Sequence, residues 1–359
     1  MAMIKELRIS NFKSIKRLEL DCKRINLFIG APNVGKSNIL EAMSLFNVPY
    51  VRNPENKFNG LVRFSNLKNL FYDNIPNQNI EVITDIASAI LRYQSNSDNF
   101  HILIGHDPKM LDDSIVDKSY NELKNHFMDN HEKFSNENIK LYLNFFNKDG
   151  KELDPHPSDF YSSIRKYDFI NNSRLNQGFH EYLLPPNGKN LITIIQNNPD
   201  IFNEIASFFD DYKLELLYDV ESNMFEIQKK VKKLVYKYPF HLIADTLQRI
   251  IFYLTVVETN KTTSIILEEP ETHSFPPYTR MLAERIAENQ SNQFFISTHS
   301  PYLLHNIIED TDLKDLNICI TYYQDYQTKL KILSAEDIGN ILDNYTDIFY
   351  NLDKFIADE

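Results

Sequence analysis

The sequence of 359 residues is poor in several features whose absence excludes whole classes of protein. Its two cysteines, Cys22 and Cys319, are too few for a disulfide framework or a cysteine-based zinc site. The first residues lack the apolar core of a signal peptide. The longest apolar run, at residues 250–257, is far too short to span a bilayer. We therefore expect a cytoplasmic protein that carries no membrane domain of its own and does not bind membranes.

A net positive charge is also missing, since the formal charge is −12 at pH 7. Such a charge argues against a protein coated in nucleic-acid-binding surface, but it leaves room for a local basic patch. Basic residues cluster at residues 5–24 and again at residues 229–233, where four of five positions are lysine. We interpret both clusters as solvated strand edges or helix faces, with contact to nucleic acid as the alternative.

Glycine is scarce as well, with eight residues, and two of them lie in one motif. Residues 30–37 read Gly-Ala-Pro-Asn-Val-Gly-Lys-Ser, the G-x-x-x-x-G-K-[ST] pattern of a phosphate-binding loop. The apolar run at residues 24–29 before it is typical of a buried strand, and residues 38–46 after it have helical spacing. Gly30 and Gly35 permit the close backbone approach that phosphate binding requires.

This loop predicts a site for a nucleoside triphosphate, which we take to be ATP, together with Mg²⁺. Backbone N–H groups of the loop and the N-terminus of the following helix converge on phosphate oxygens in such motifs. Lys36 is expected to reach the β- and γ-phosphates, and the Ser37 hydroxyl is expected to bind Mg²⁺. The predicted nucleotide-binding residues of this segment are Gly30, Ala31, Pro32, Asn33, Val34, Gly35, Lys36, Ser37 and Asn38.

Polar residues follow two predicted strands farther along the chain. Glu268 and Glu269 end an apolar run at residues 264–267, as in a Walker B segment. Glu268 would hold Mg²⁺ through water, and Glu269 would orient the water that attacks the γ-phosphate. His299 comes just after the predicted strand 293–297. Because doubly wound sheets bind ligands outside the carboxyl ends of their strands, we predict that His299 donates to the γ-phosphate or to the attacking water.

The pattern of elements predicts an α/β protein with a parallel or mixed sheet covered by helices. We predict one ATPase domain built from residues 1–105 and 240–335. Residues 107–240 are polar and asparagine-rich, with helix-like spacing at 114–130 and 200–209, and they predict a mainly helical insertion that forms an arm or lid. Residues 336–359 predict an acidic C-terminal helix.

The order of these motifs resembles that of the ABC-type ATPases. The resemblance is carried by Ile-x-x-Leu-x-Ile-x-Asn-Phe-Lys-Ser-Ile at residues 4–15, the phosphate loop, Leu-Glu-Glu-Pro-Glu at 267–271 and Ser-Thr-His-Ser-Pro at 297–301. This group includes SMC and RecF proteins and the ATPase half of OLD-family nucleases. The chain is most similar to OLD-like bacterial "AAA family ATPase" proteins, many of which occur in anti-phage defence operons. The resemblance implies an ABC-type P-loop NTPase fold.

The resemblance also implies a homodimer or higher homo-oligomer in which two copies sandwich ATP head to tail. The phosphate loop of one copy would then face the signature segment of the other, here residues 243–250. Thr246 would supply a hydroxyl there, and Gln248 or Arg249 a hydrogen-bond donor. The segment lacks the glycine of the family pattern, and Asp245 would repel phosphate. The alternative is an ordinary amphipathic helix start with Asp245 as its N-cap.

Three further positions are assigned by the resemblance alone. Lys13 lies in the family's loop between the first two strands and would lie near the nucleotide. The family has a metal-contacting glutamine after the phosphate-loop helix, for which Gln78 and Gln94 are both candidates. Glu268 stands where the family has aspartate, which adds one methylene to the arm that holds the metal. ATP binding is therefore expected more firmly than fast hydrolysis.

The leading interpretation is an ATP-dependent switch subunit, in anti-phage defence, that oligomerises on ATP and controls a separate effector such as a nuclease or toxin. OLD-like nucleases carry a C-terminal Toprim domain, and the sequence after residue 335 is too short for one. One alternative is a RecF/SMC-like ATPase of DNA repair or maintenance that binds DNA in its ATP-bound dimer. The second alternative is an ATP-bound scaffold with slow turnover.

Overall fold

The structure, a computed structural model, describes residues 3–107, 122, 141–153, 160, 162–171, 178–179, 181–222, 224–343 and 348–356. Its strands are β1 (Glu6–Phe12), β2 (Ile15–Asp21), β3 (Ile25–Ile29), β4 (Ile80–Thr84), β5 (Ser88–Gln94), β6 (Asn99–Gly105), β7 (Leu141–Phe146), β8 (Ile164–Tyr167), β9 (Glu215–Asp219), β10 (Met224–Val231), β11 (Leu234–Pro239), β12 (Ser264–Glu268), β13 (Gln293–Ser297), β14 (Leu316–Gln324) and β15 (Gln327–Ile332). Its α-helices are α1 (Lys36–Met43), α2 (Leu191–Asn197), α3 (Pro199–Ser207), α4 (Asp245–Thr259), α5 (Pro276–Glu288), α6 (Pro301–Asp310), α7 (Ala335–Asp343) and α8 (Leu352–Ile356).

The central sheet has the spatial order β15-β14-β3-β13-β12-β8. Its first five members from the β8 edge are mutually parallel, and β15 is antiparallel to β14. Parallel strands end at a common edge of a sheet, which in α/β folds is where ligands bind. The chain that follows β3, β12 and β13 is therefore gathered at one edge.

Side chains of the central strands alternate between two hydrophobic cores, because successive residues of a strand point to opposite faces. Leu27 and Ile296 belong to a core shared with α4, α5 and α6. Phe28 and Phe295 belong to a second core shared with α1 and the N-terminal strands. Burial on both faces explains why these strands appear in the sequence as continuous apolar runs.

The second core is closed by an antiparallel sheet with the order β2-β1-β4-β5-β6-β7. A third sheet, β11-β10-β9, is separate from both. Together with the helices, the three sheets confirm the predicted α/β architecture with a mixed sheet. Within the described residues, no helix combines the length and the apolar character needed to cross a bilayer.

The prediction for residues 107–240 does not match their described part. The helix predicted at 114–130 lies outside the described residues, but the helix predicted at 200–209 corresponds to α3. The described residues of this region also contain β7 to β11, of which β7 and β8 are edge strands of the two large sheets. The β10–β11 strands were missed because the outer part of their hairpin is exposed on both faces and so lacks the alternation of polar and apolar residues that indicates a strand. The predicted single C-terminal helix is instead two short helices, α7 and α8.

Candidate functional site

The phosphate-loop segment joins β3 to α1, as predicted. Gly30 and Gly35 have φ values of 152° and 103°, and Gly35 is the N-cap of α1. An added side chain at Gly30 would overlap the carbonyl oxygen of Thr321, and one at Gly35 would overlap the side chain of Thr328. The loop is thus backed closely by the β14–β15 hairpin. Its other side faces solvent, where three residues are exposed: Ala31, Pro32 and Asn33.

A chain of hydrogen bonds ties this loop to two distant segments. The Thr328 hydroxyl donates to the carbonyl of Val34 at 2.9 Å, and the Ser14 and Thr328 hydroxyl oxygens are 2.6 Å apart. Asn38 Nδ2 then donates to Ser14 Oγ at 2.7 Å. Since the Thr328 proton is used toward Val34, Ser14 must donate to Thr328. Asn38, predicted as a nucleotide contact, here holds the β1–β2 turn against the loop.

Lys36 is buried inside the loop, with 5% of its surface exposed. Its ammonium group donates to the carbonyl oxygens of Gly30 and Ala31, each at 2.8 Å. Burial lowers the pKa of Lys36, and the nearby Glu269 carboxylate opposes that shift. The ammonium is therefore held at the loop's centre, where an arriving triphosphate would replace two carbonyl acceptors with charged ones.

Glu268 ends β12 beside the first turn of α1. The Ser37 hydroxyl is close enough to the Glu268 carboxylate to help lower its pKa, so the two predicted metal ligands are neighbours. Lys166 Nζ lies 3.4 Å from Glu268 Oε2, and Arg63 NH2 lies 3.6 Å from Glu268 Oε1. Burial raises the pKa of Glu268, but Lys166, Ser37 and Arg63 outweigh it and the net direction is downward. A hydroxyl and an ionised carboxylate are oxygen donors of the kind that Mg²⁺ prefers, so these two residues fit a magnesium ion.

Glu269 and His299 face each other across the ends of β12 and β13. His299 Nε2 lies 3.4 Å from Glu269 Oε1. Glu269 has a positive φ of 43°, and its N–H donates to the carbonyl of Ser297 at 3.0 Å. Burial and the charge of Lys36 lower the pKa of His299, against the effect of Glu269, which favours a neutral imidazole at pH 7. The carboxylate and the imidazole can share one water molecule between them.

Glu271 holds the chain that carries His299. Its Oε1 accepts from the Thr298 hydroxyl at 2.6 Å and from the His299 N–H at 3.0 Å. Burial raises the pKa of Glu271, and the two hydrogen bonds and the neighbouring Glu269 act on it more weakly. Glu271 was not singled out from the sequence, although it is the last acid of the Leu-Glu-Glu-Pro-Glu segment.

Lys13 is placed near the site through a relay of charged groups. Its ammonium bonds the carboxylate of Glu41, a residue of α1 that is 1% exposed. Glu41 also accepts from Arg63 Nε at 2.6 Å, and Arg63 in turn approaches Glu268. Arg63 and Lys166, both of which follow α1 in the sequence, are thus the described cations that approach the predicted metal ligand. Of the two candidate glutamines, Gln78 accepts at its backbone carbonyl a hydrogen bond from Asn11 Nδ2 at 2.6 Å. Gln94, at the end of β5, is the strand-register partner of Asn99 in β6.

The signature segment opens α4, and its predicted donors have partners within the chain. The Thr246 hydroxyl donates to the carbonyl of His273 at 3.0 Å. Gln248 is buried and donates to the carbonyl of Ile243 at 2.9 Å. Arg249 Nε donates to Asp245 at 2.7 Å. Asp245 is therefore the first helical residue, paired with Arg249, and the N-cap is Ala244, so the expectation of Asp245 as N-cap was wrong.

Comparison with known proteins gives one family match. The model of a family described as "AAA ATPase domain" matches residues 3–248. No curated protein shows significant similarity to the sequence.

Among solved structures, the chain is similar to an SMC head bound to the C-winged helix domain of ScpA, with 15% identity, a TM-score of 0.47, and coverage of 95% of this chain and 100% of that chain. It is also similar to the SMC head domain from Thermotoga maritima, with 12% identity, a TM-score of 0.40 and coverage of 93% and 100%. A third similar structure is the SMC head domain with an extended coiled coil bound to the C-terminal domain of ScpA, from Pyrococcus furiosus, with 12% identity, a TM-score of 0.46 and coverage of 96% and 100%.

Proposed function

The chain belongs to the AAA ATPase domain family, and from this premise we propose that it binds ATP with Mg²⁺ and hydrolyses it. One observation carries the proposal. Lys36 follows β3, Glu269 follows β12 and His299 follows β13, three adjacent parallel strands of the central sheet. The charge on Lys36 acts on both Glu269 and His299, so the three side chains lie within electrostatic range of one another.

Each residue has a role that its surroundings support. Lys36 and the loop N–H groups bind the phosphates. Ser37 and Glu268 would hold Mg²⁺, which supplies charge stabilisation at the phosphoryl oxygens when bound. Glu269 orients the attacking water, and the neutral His299 donates a hydrogen bond to the γ-phosphate or to that water. Glu271 keeps His299 in position through its backbone N–H.

A second copy of the chain would complete this site in the manner of the ABC-type ATPases, as a homodimer or a higher homo-oligomer. Thr246 and Arg249 would then face the γ-phosphate of the partner, provided that each releases its present acceptor. Leu242 and Phe275, 66% and 56% exposed, flank the segment and offer apolar surface for such an interface. The signature segment has no glycine, and Arg249 must leave Asp245 before it can contact a phosphate of the partner. We therefore expect the dimer to close slowly.

The biological role that we propose is a switch that controls a separate effector in anti-phage defence. This role rests on the resemblance to OLD-like ATPases. Purification of the native complex with and without ATP, followed by mass spectrometry, tests it. Recovery of one nuclease or toxin chain in an ATP-dependent manner is the expected result, and purification of the chain alone under both conditions would contradict it.

The ATPase proposal is tested by nucleotide binding and phosphate release. Lys36→Ala should abolish ATP binding while leaving the unfolding transition in place, and Glu269→Gln should keep binding but stop phosphate release. Lys314→Ala is the matched control. It removes an exposed lysine that precedes β14, at the edge of the central sheet opposite the phosphate loop. Unchanged ATP affinity in Lys36→Ala would overturn the assignment. Phosphate release by the wild type that Glu269→Gln abolishes would exclude the slow-turnover scaffold.

A second candidate function is DNA binding, and one surface favours it. The exposed half of the β10–β11 hairpin carries lysines at 229, 230, 232 and 233 next to the exposed rings of Tyr236 and Tyr238. Lysines bind phosphates and aromatic rings stack on bases. ATP-stimulated, salt-dependent DNA binding that Lys232→Gln and Lys233→Gln together weaken would support a RecF/SMC-like ATPase. Absence of DNA binding at low salt would eliminate it.

A further inference from the structure

Lys166 is a buried lysine at the predicted metal site that the proposed mechanism does not use. It lies on β8, at the edge of the central sheet, in register with Ile266 of β12. Only 4% of its surface is exposed. Its N–H donates to Asn47 Oδ1 at 3.0 Å, and its Nζ donates to the carbonyl of Leu61 at 3.1 Å and faces Glu268 Oε2 at 3.4 Å. Backbone pairing and two fixed acceptors therefore aim the ammonium at the metal-binding carboxylate.

Arg63 approaches the same carboxylate from the other side. Its NH2 lies 3.6 Å from Glu268 Oε1, while its Nε is bound to the buried Glu41. Each oxygen of Glu268 thus faces a cation supplied by the chain itself. The side chain of Arg63 is 72% exposed, whereas that of Lys166 is 5% exposed, so Lys166 is the less screened of the two charges.

Charges of both signs surround the site before any ligand arrives. Lys166 acts on Lys13, Asp168 and Glu268, and Arg63 acts on Glu268 as well. Removal of Lys166 would leave the Glu268 carboxylate with one cation fewer, next to the position of the β- and γ-phosphates. A carboxylate facing a triphosphate is repulsive unless a cation lies between them.

We propose that Lys166, assisted by Arg63, supplies at Glu268 a fixed positive charge that allows the site to bind a nucleoside triphosphate without a divalent cation. This inference rests on the proposed ATP site. Mg²⁺ is then required for hydrolysis, while retention of the nucleotide depends on it only weakly. Such a site keeps ATP bound when the concentration of free Mg²⁺ falls. This property suits a protein that retains bound ATP for a long time before hydrolysing it.

The test measures ATP affinity by calorimetry in excess Mg²⁺ and in EDTA. For the wild type we expect the two dissociation constants to agree within about tenfold. Lys166→Met should weaken binding in EDTA by about tenfold or more and binding in Mg²⁺ by less than about threefold, because the metal replaces the missing charge. Lys166→Arg should restore binding in EDTA. Lys57→Met is the matched control. Lys57 is also a buried lysine, and its Nζ lies 4.0 Å from Glu152 Oε2 rather than beside Glu268.

The outcomes separate this inference from the proposed function. A wild type that binds ATP in Mg²⁺ but loses it in EDTA would overturn the inference and leave the ATP site intact. Equal losses by Lys166→Met in both buffers would also overturn it. No binding in either buffer would overturn the ATP site itself. If Lys166→Met does not fold, Arg63→Met serves in its place, because that side chain is exposed, and it should show the same difference between buffers in a smaller degree.

Discussion

The hydroxyl of Thr328 allows the attachment of the phosphate loop to be tested by a single substitution. Thr328 is fully buried in β15, and its hydroxyl connects Ser14 to the carbonyl of Val34, 294 residues away in sequence. Thr328→Val keeps the side-chain volume and removes both hydrogen bonds. The backbone bond from the Thr328 N–H to the carbonyl of Ser14, at 2.8 Å, remains. The variant therefore isolates the hydroxyl.

The expected cost follows from the surroundings of the two partners. A hydrogen bond contributes about 0.5–1.5 kcal/mol net, and a buried group left without a partner costs about 1–3 kcal/mol. Val34 and Ser14 are both half-buried, so water can partly replace the hydroxyl. We therefore expect a loss of about 2 kcal/mol in the free energy of unfolding. ATP affinity should fall by about threefold to tenfold, since binding must then also order the loop.

Denaturant unfolding and calorimetric titration with ATP measure the two effects, with Thr321→Val as the matched control. Thr321 lies in β14 of the same hairpin and is 1% exposed, and within the described residues its hydroxyl has no hydrogen-bond partner. We expect this control to change the free energy of unfolding by less than about 0.5 kcal/mol. Equal effects of the two substitutions would refute the view that the Thr328 hydroxyl anchors the loop.

Three other predictions concern the same site. Gly30→Ala should destabilise the protein by more than about 3 kcal/mol, because its methyl group would overlap the carbonyl of Thr321, whereas Gly339→Ala, in α7 with no atom within 4 Å of an added Cβ, should be neutral or stabilising in the same unfolding assay. The raised pKa of Glu271 means that its stabilising contribution is present below the ordinary glutamate pKa and is lost as the pH rises through the raised value. Glu271→Gln, which cannot ionise, should therefore be more stable than the wild type at pH 8 and lose this advantage toward pH 4, and an advantage that grows at low pH would contradict the assignment. Because the pKa of His299 in the free chain is lowered, kcat/KM for ATP should decline only below pH 6.5, and a decline centred above that pH would show that His299 is not the titrating group.

Local patterns in the sequence determined the part of the site that parallel strands bring together. The phosphate loop is a continuous segment, and Glu268, Glu269 and His299 each lie at the end of, or shortly after, a short apolar run that is typical of a buried strand. Because parallel strands share an edge, the meeting of these residues could be predicted without knowing their distances. The α/β class followed from the same runs, since strands buried on both faces lose the alternation of polar and apolar residues.

Only the tertiary structure decided which polar groups surround that core of the site. Lys166 meets Glu268 across 102 residues, and Thr328 meets Val34 across 294, so no local spacing connects them. Arg63 approaches Glu268 to 3.6 Å, and its position could not be predicted because the chain after α1 has no regular period to indicate its path. A buried polar side chain must find a hydrogen-bond or ionic partner nearby. Which partner is near depends on how segments distant in sequence pack together, and the sequence alone does not show this.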